Sequence, residues 1–592
     1  MRIRHLLVTR AMVVGLVTSL CIGLSPVRVM GSTSPTGTQS QASNPSVPAQ
    51  APPTQQKQGP FVGRVSPVTD PRVGVDNQRI IHLSLHDAIL KALENNNEIQ
   101  VQRTNVQISE YALKALDGYY DVVLGSNLTI SSNTRPSANR ITAGSSGSVA
   151  TTSDSYTMNY NFSQQMPIGG GNWHLAFNNS RISTNQFGSS LNPFYNSNIA
   201  LDFQQPLFRN FRNDQTRNQI RIAKKALDLS DSQFRQRVVE IIAQVQKAYW
   251  DLVFAIRNVE IMKESMQLAK VNLENNRKQV EVGTLAPIDL AQSQAEVERR
   301  HQDEITSIGS VTVAENIVKG LILGDPSSPE WRGNLAPTES IEILPPAIDY
   351  ESAQRLAFAN RTELEQLRLQ KEQNELDLKY FRNQTLPQID FVGRYATAGL
   401  AGRPGPPIDF GGLPGFGGEV PALFVGGLGR AFNTAIQNRF REVVVGVQIN
   451  FPLLNRTAKA NLGRSKARGR VLQFQEKQLQ QLVLAEVRNA LQGVETARQT
   501  IEAARAARAA REVQLAGEQK KFEAGLSTTF LVLTFQNQLS LAKGAELQAL
   551  VNYNKAIAEI QRVLSTTLDA NNVQVTPAQG SDPATRRSQP KN

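Results

Sequence analysis

Two periodicities divide this chain. Over long stretches apolar residues recur every three or four positions, and between those stretches they recur every second position. The longest helical stretch runs from Asn213 to Val282 without a glycine or proline. At about 1.5 Å per residue it predicts a helix roughly 100 Å long. Its stripe is Phe234, Val238, Ile241, Val245, Tyr249, Leu252, Ile256, Val259, Met262 and Met266. That spacing is coiled-coil-like and needs neighbours along its whole extent. A second stretch, about Thr457 to Ala524, also lacks proline, although Gly463, Gly469, Gly493 and Gly517 interrupt it.

The period-two segments are "VVLGSNLTIS", "IALDFQQPL", "QIDFVGRYAT" and "VVGVQINFPL". In the first, Val122, Leu124, Leu128 and Ile130 share one face, with Gly125, Asn127, Thr129 and Ser131 on the other. In the last, Val445, Val447, Ile449 and Phe451 oppose Gly446, Gln448 and Asn450. Such alternation suits a half-buried sheet in water, or a barrel with lipid outside and a wet lumen. "YTMNYNFSQQM" and "WHLAF" alternate as well, around the turn "PIGGG". They predict a surface hairpin, with two further membrane strands as the alternative. Pro206 and Pro452 close the two sheet regions, and a long helix follows each.

The pattern occurs twice. "LSLHDAILKALENNNEI" (Leu83–Ile99) aligns with "IDYESAQRLAFANRTEL" (Ile348–Leu364) at a spacing of 265, with Ser84 and Asp349 as candidate N-caps. "VEVGTLAPIDLAQSQAEV" (Val280–Val297) aligns with "FEAGLSTTFLVLTFQNQL" (Phe522–Leu539) at 242, so the first half carries 23 extra residues in between. Gly283 and Gly525 stand where a helix end turns left-handed. Pro287 suits the first turn of the next helix, and Ser527 or Thr528 suits the second restart. Both stretches therefore predict the tips of antiparallel helical hairpins.

The expected organisation is a secretory signal over 1–31, a Pro/Ser/Gln-rich disordered linker over 32–79 and a first repeat over 80–323. A connector over 324–347, a second repeat over 348–569 and a disordered tail over 570–592 follow. Arg2, Arg4 and Arg10 precede the apolar run "AMVVGLVTSLCIGL", the order of a signal peptide, with no clear cleavage site. The single cysteine, Cys21, lies in that run and reads as signal filler, with lipidation as the alternative. A mature chain without cysteine has to hold its fold without disulfides. No later apolar run reaches the roughly 18–20 residues of a spanning helix. The net charge of +12 is spread along helix faces and has no aromatic stacking platforms beside it, so nucleic acid is excluded as a partner.

The segments "LSLHDAILKALENNNEIQVQR", "ALDFQQPL", "VQKAYWDLVFA", "VEVGTLAPIDLAQSQAEV" and "EAGLSTTFLVLTFQNQLSLA" resemble, in order and in both halves, those of TolC-like outer-membrane efflux proteins. The resemblance covers roughly Ile81 to Leu568. It implies mixed all-α plus transmembrane β architecture: duplicated long coiled-coil hairpins form a periplasmic tunnel, and about four strands per protomer join a shared trimeric barrel of twelve. The implied location is the bacterial outer membrane, with a long periplasmic extension. The implied partners are two further copies, outer-membrane lipid, a periplasmic adaptor and an inner-membrane transporter of the RND, ABC or MFS type. In the family the tips dock the adaptor. The matching residues are Val282, Gly283, Thr284 and Leu285, then Ala524, Gly525, Leu526 and Ser527. Family aspartates in the restart helix narrow the entrance. Asp289 matches, whereas the second copy has Leu531 and Thr534, so Phe530 and Leu531 are candidates for closure by packing instead. Asp289 also has a plain account, since a carboxylate in a first turn favours the helix dipole.

No catalytic constellation is present, so an enzyme is not expected, and neither is a cofactor. "PIGGGN" reads as a strand turn and not a phosphate cradle. His82 and His86 straddle a predicted strand–helix boundary and lack a third ligand. Arg505, Arg508 and Arg511 read as a solvated helix face, with a positive band in the tunnel as the alternative. The reading opposed to a passive exit duct is a soluble periplasmic coiled-coil scaffold or adaptor without a barrel.

Overall fold

The computed structural model describes residues 65–136, 150–186, 188–340, 349–405 and 419–575. The expected signal, most of the expected linker and nearly all of the expected tail lie outside them. Strand β1 (Asp76–Leu83) leads into α1 (Leu85–Asn95) and α2 (Asn97–Asp117). Four strands follow: β2 (Val123–Pro136), β3 (Ala150–Gln165), β4 (Asn172–Thr184) and β5 (Leu191–Pro206). Helices α3 (Gln215–Glu281) and α4 (Pro287–Ile322) make the first long hairpin, and β6 (Gly333–Pro337) ends the first half. The second half runs α5 (Tyr350–Asn360), α6 (Thr362–Gln384), β7 (Gln388–Pro404), α7 (Leu428–Ile436) and β8 (Phe440–Asn450). It closes with α8 (Arg456–Glu523), α9 (Thr529–Val563) and the short α10 (Thr567–Ala570).

The duplication is reproduced at element level. Helix α5 begins and ends 265 residues after α1, while α8 ends and α9 begins 242 residues after α3 ends and α4 begins. Ser84 caps α1 by accepting from the Asp87 amide, and Asp349 occupies the corresponding place before α5. Helix α8 runs unbroken through its four glycines, because each costs only about 1 kcal/mol and lateral packing outweighs that sum.

The α3 stripe is the core. Phe234, Val238, Ile241, Val245, Tyr249, Leu252, Ile256 and Val259 are each at most 1% exposed. Each such side chain removed from water contributes about 1.5–3 kcal/mol. Helix α3 packs on α4 as a hairpin and on α9 of the other half, and also meets α1, α2 and α6. Ion pairs tie α3 to α9 at intervals: Lys543–Glu264 at 2.7 Å, Lys555–Asp251 at 2.7 Å and Lys247–Glu559 at 2.6 Å. The two hairpins therefore lie side by side.

The β region departs from expectation in one respect. A single antiparallel sheet holds six strands in the order β2-β3-β4-β5-β7-β8, where about four were expected. The alternating pair around "PIGGG" is not a surface appendage. It forms β3 and β4, which are inserted between β2 and β5. Helix α7 lies against β5 and β7, with Phe432 edge-on to Phe177 at 5.2 Å and the Ala431 carbonyl close above Gly399.

The folded part also begins earlier than residue 80. Val65 and Val68 are buried, β1 starts at Asp76, and Arg72 sits in the interior. The expected connector contains β6, which pairs in parallel with β1 and is buried throughout. At that junction Glu315 accepts from Arg72 Nη1 at 2.5 Å, from Lys319 Nζ at 3.1 Å and from the Leu335 amide at 2.8 Å. Burial pulls the Lys319 amine below its ordinary pKa, and the Glu315 carboxylate opposes that pull. Removing the one anion strands two buried cations. Glu315→Ala is expected to cost about 3–5 kcal/mol, read as a lower denaturation midpoint of the full chain.

Candidate functional site at the helical tips

Both long hairpins turn on the same backbone device. Gly283 has φ +78° and Gly525 has φ +73°. The Gly283 amide donates to the Val280 carbonyl at 3.0 Å and the Thr284 amide to Gln279 at 2.9 Å. In the second copy Gly525 donates to Phe522 at 3.0 Å and Leu526 to Lys521 at 2.8 Å. This double bond pattern satisfies the carbonyls left free at a helix end. A Cβ at either glycine would meet nothing within 4 Å, so glycine is needed for its left-handed backbone and not for space. Pro287 then opens α4 after the N-cap residue Ala286, and Thr528 stands in the N-cap place of α9.

The two tips lie at the same end of the molecule. Asn272 on α3 donates to Gln536 on α9 at 2.6 Å. Between the hairpins is a cavity of about 340 Å³ lined by Asn272, Asn276, Gln279, Phe522, Thr529 and Val532. Within the first hairpin, Asn276 donates to Ser293 at 2.7 Å, and Ser293 donates to the Asp289 carbonyl at 2.9 Å. The buried side chains of Thr529, Gln536 and Ser540 each keep a polar atom without a partner along this seam. The seam between hairpins is thus polar and incompletely bonded, unlike the apolar core farther along α3.

Each residue singled out from the sequence is in place at the tips. Val282 and Leu526 project into solvent, 78% and 79% exposed, and Thr284 and Ala524 are exposed beside them. Leu285 is half-buried. Ser527 does not cap α9; its hydroxyl donates back to Glu518 on α8. In the restart helices Asp289 is half-buried, Phe530 and Leu531 are exposed, and the Thr534 hydroxyl donates to the Phe530 carbonyl at 2.8 Å. Ile288, not singled out from the sequence, is 75% exposed and adds a third large apolar group to the tip surface. Its one signal was adjacency to Pro287.

The arginines at 505, 508 and 511 do not form a free positive band. Arg505 and Arg508 both pair with Glu546, which is buried on α9, and Arg511 donates to Gln538. His82 lies in β1 opposite Ala336, and His86 lies in α1. Among the described residues no helix is long and apolar enough to cross a membrane.

Residues 175–322 match the family described as outer membrane efflux protein. Solved structures match over most of the chain. The CmeC outer membrane channel of Campylobacter jejuni is 14% identical with a TM-score of 0.57, over 85% of this chain and 88% of that one. The chain has the outer membrane efflux protein fold. The outer membrane protein VceC of Vibrio cholerae is 14% identical at TM-score 0.54, over 81% and 95% of the two chains. The open-state MtrE outer membrane channel of Neisseria gonorrhoeae is 16% identical at 0.52, over 86% and 97%. No curated protein matched by sequence. The resemblance read from the ordered segments of the sequence therefore stands, and the helical hairpins and strand segments fall where that fold requires them.

Ser527 and Lys521 hold the Glu518 carboxyl below its ordinary pKa, the hydroxyl bond being the larger cause. A depressed carboxyl contributes stability above its unfolded pKa and loses it as pH falls through the folded value. Amide exchange at residues 524–529 is therefore expected to speed up on acidification, and Ser527→Ala is expected to shift that onset to higher pH. Separately, Gly283→Ala or Gly525→Ala should cost about 1–2 kcal/mol locally, seen as faster exchange at that tip with the core unchanged.

Proposed function

We propose that this chain is the outer-membrane exit duct of a tripartite efflux or type I secretion system, located in the bacterial outer membrane and assembled as a homotrimer. One observation carries the reading. A sheet with an exposed apolar face stands at one end of α3 and two matched glycine tips at the other, a 67-residue helix apart. Val123, Leu128, Ile130, Val445 and Val447 are each more than half exposed on that face, which disfavours a scaffold soluble in water. Backbone groups in lipid must all be paired, so a sheet with two free edges enters a membrane only by closing with copies of itself.

A periplasmic adaptor docks on the tips, where Val282, Gly283, Thr284 and Leu285 meet Ala524, Gly525, Leu526 and Ser527. Val282 and Leu526 supply the apolar contact. Asp289, Phe530, Leu531 and Thr534 line the entrance. Opening separates the two hairpins along their polar seam, where few apolar contacts have to be broken. Energy comes from an inner-membrane transporter of the RND, ABC or MFS type, since passage through a duct needs only the gradient or stroke delivered to it. No nucleic acid takes part, and no covalent chemistry is assigned to the chain.

The test is single-channel recording of the purified full chain in planar bilayers. The wild type should insert and conduct weakly, with the helical entrance limiting current. Phe530→Ala with Leu531→Ala should raise the mean conductance severalfold without changing the oligomer. A chain that never inserts overturns the duct. In cells, Leu526→Glu should abolish export while the assembled oligomer remains in the outer membrane, and normal export would count against tip docking.

A further inference from the structure

We infer that the β3–β4 hairpin is part of the membrane wall, so that three copies close a barrel of eighteen strands, β8 of each pairing with β2 of the next. This rests on the trimeric duct reading above and alters its bore. Twelve strands are what the family resemblance implies; the six-stranded sheet of this chain does not allow that number in a threefold closure.

Three observations support it. First, the pair is internal. β3 pairs with β2 from Val123↔Ser163 to Pro136↔Ala150, and β4 pairs with β5 from Asn172↔Gln204 to Ile182↔Phe194. The pair cannot leave the membrane without opening the sheet at its centre. Second, the faces continue across it. Leu124, Phe162, Leu175, Leu201, Tyr395 and Val443 stand opposite one another in one unbroken row across all six strands. On the other face Asn127, Asn159, Asn178 and Asn198 make a row across four strands. A hairpin standing in water above the bilayer has no need of an apolar row in register with its neighbours' lipid-facing rows.

Third, the turn of the pair is built into the helix end of the sheet. Gly169 and Gly170 have φ +77° and +70°. A Cβ on Gly170 would come within 2.6 Å of the Asn210 carbonyl, and one on Gly171 within 2.8 Å of the Gln204 carbonyl. The Gln205 amide donates to Gly169 at 2.7 Å, and the Gln164 amide donates to Tyr120 at 2.9 Å. The hairpin thus descends the full height of the sheet to the place where α3 begins. Barrel diameter grows roughly linearly with strand number, so the mouth is about half again as wide as a twelve-stranded one. Its lining is neutral and asparagine-rich at that level, which suits bulky uncharged or hydrophilic cargo over small ions.

The experiment uses the full chain with Cys21→Ser, reconstituted in liposomes. Single cysteines carrying a fluorophore are placed at Tyr160, Phe177 and, as a control, Leu201 on the apolar face, and at Asn159 and Asn178 on the other. Brominated acyl chains should quench the first three, and aqueous iodide should quench the last two. Quenching of Tyr160 and Phe177 by iodide alone, with Leu201 quenched from lipid, overturns the inference and leaves the duct intact. Failure at Leu201 as well overturns both. In parallel, cysteine pairs joining Leu124 or Leu128 to Val443, Val445 or Val447 should yield covalent dimers and trimers on oxidation. A trimer with no cross-link from any pair overturns the proposed edge pairing.

Discussion

A helix of 67 residues has to bury one stripe from end to end, and most of the architecture follows from that requirement. Helix α3 meets it with five neighbours: its own return helix α4, the shorter α1, α2 and α6, and α9 of the second half. The last contact joins two halves that would otherwise be separate hairpins. Its apolar centre is supported by regularly spaced ion pairs, and toward the tips it changes into an amide and hydroxyl seam. The molecule is therefore rigid along its middle and more easily parted at one end, a gradient set by side-chain chemistry on a continuous helical backbone.

The sheet poses the opposite problem. Its strands satisfy one another internally, but β2 and β8 each present a row of free amides and carbonyls, and one face carries Leu, Val, Ile and aromatic side chains that nothing in the chain covers. In water such an edge and such a face are liabilities. In a bilayer with further copies both are resolved together, because lipid takes the face and a neighbouring strand takes the edge. The helical end and the sheet end thus make independent demands, and association of identical chains around a common axis meets both.

Much of this was legible in the residues. The long helices were visible as glycine- and proline-free runs, and the spacings of 265 and 242 proved to be spacings between element ends. Gly283 and Gly525 announced left-handed turns because little else adopts that backbone cheaply. Long-range geometry was harder to read. The alternation of "YTMNYNFSQQM" marked a strand but could not say between which strands it would sit, since insertion at the centre of a sheet depends on partners about forty residues away on either side. β6 was hidden for another reason: "GNLAP" is only five residues long, is wholly buried, and lacks a partner until β1 arrives. The pairing of Arg505 and Arg508 with Glu546 crosses from one helix to another, so local spacing on α8 could only suggest solvation. Ser527 looked like a cap by position, yet it bonds a carboxylate nine residues back across the turn.

The β1–β6 ribbon carries a consequence for biogenesis. Arg72 meets its carboxylate 243 residues later in the chain, and β1 has no partner before Gly333 has emerged. The segment that leaves the ribosome and crosses the inner membrane first is thus among the last to settle, because closing so large a loop has to wait for the sequence that rewards it. Throughout that interval β1 is an unpaired strand in the periplasm. A holding chaperone that shields extended segments near the amino terminus meets the physical need of that stage, and the latch of Glu315 with Arg72 and Lys319 marks its end.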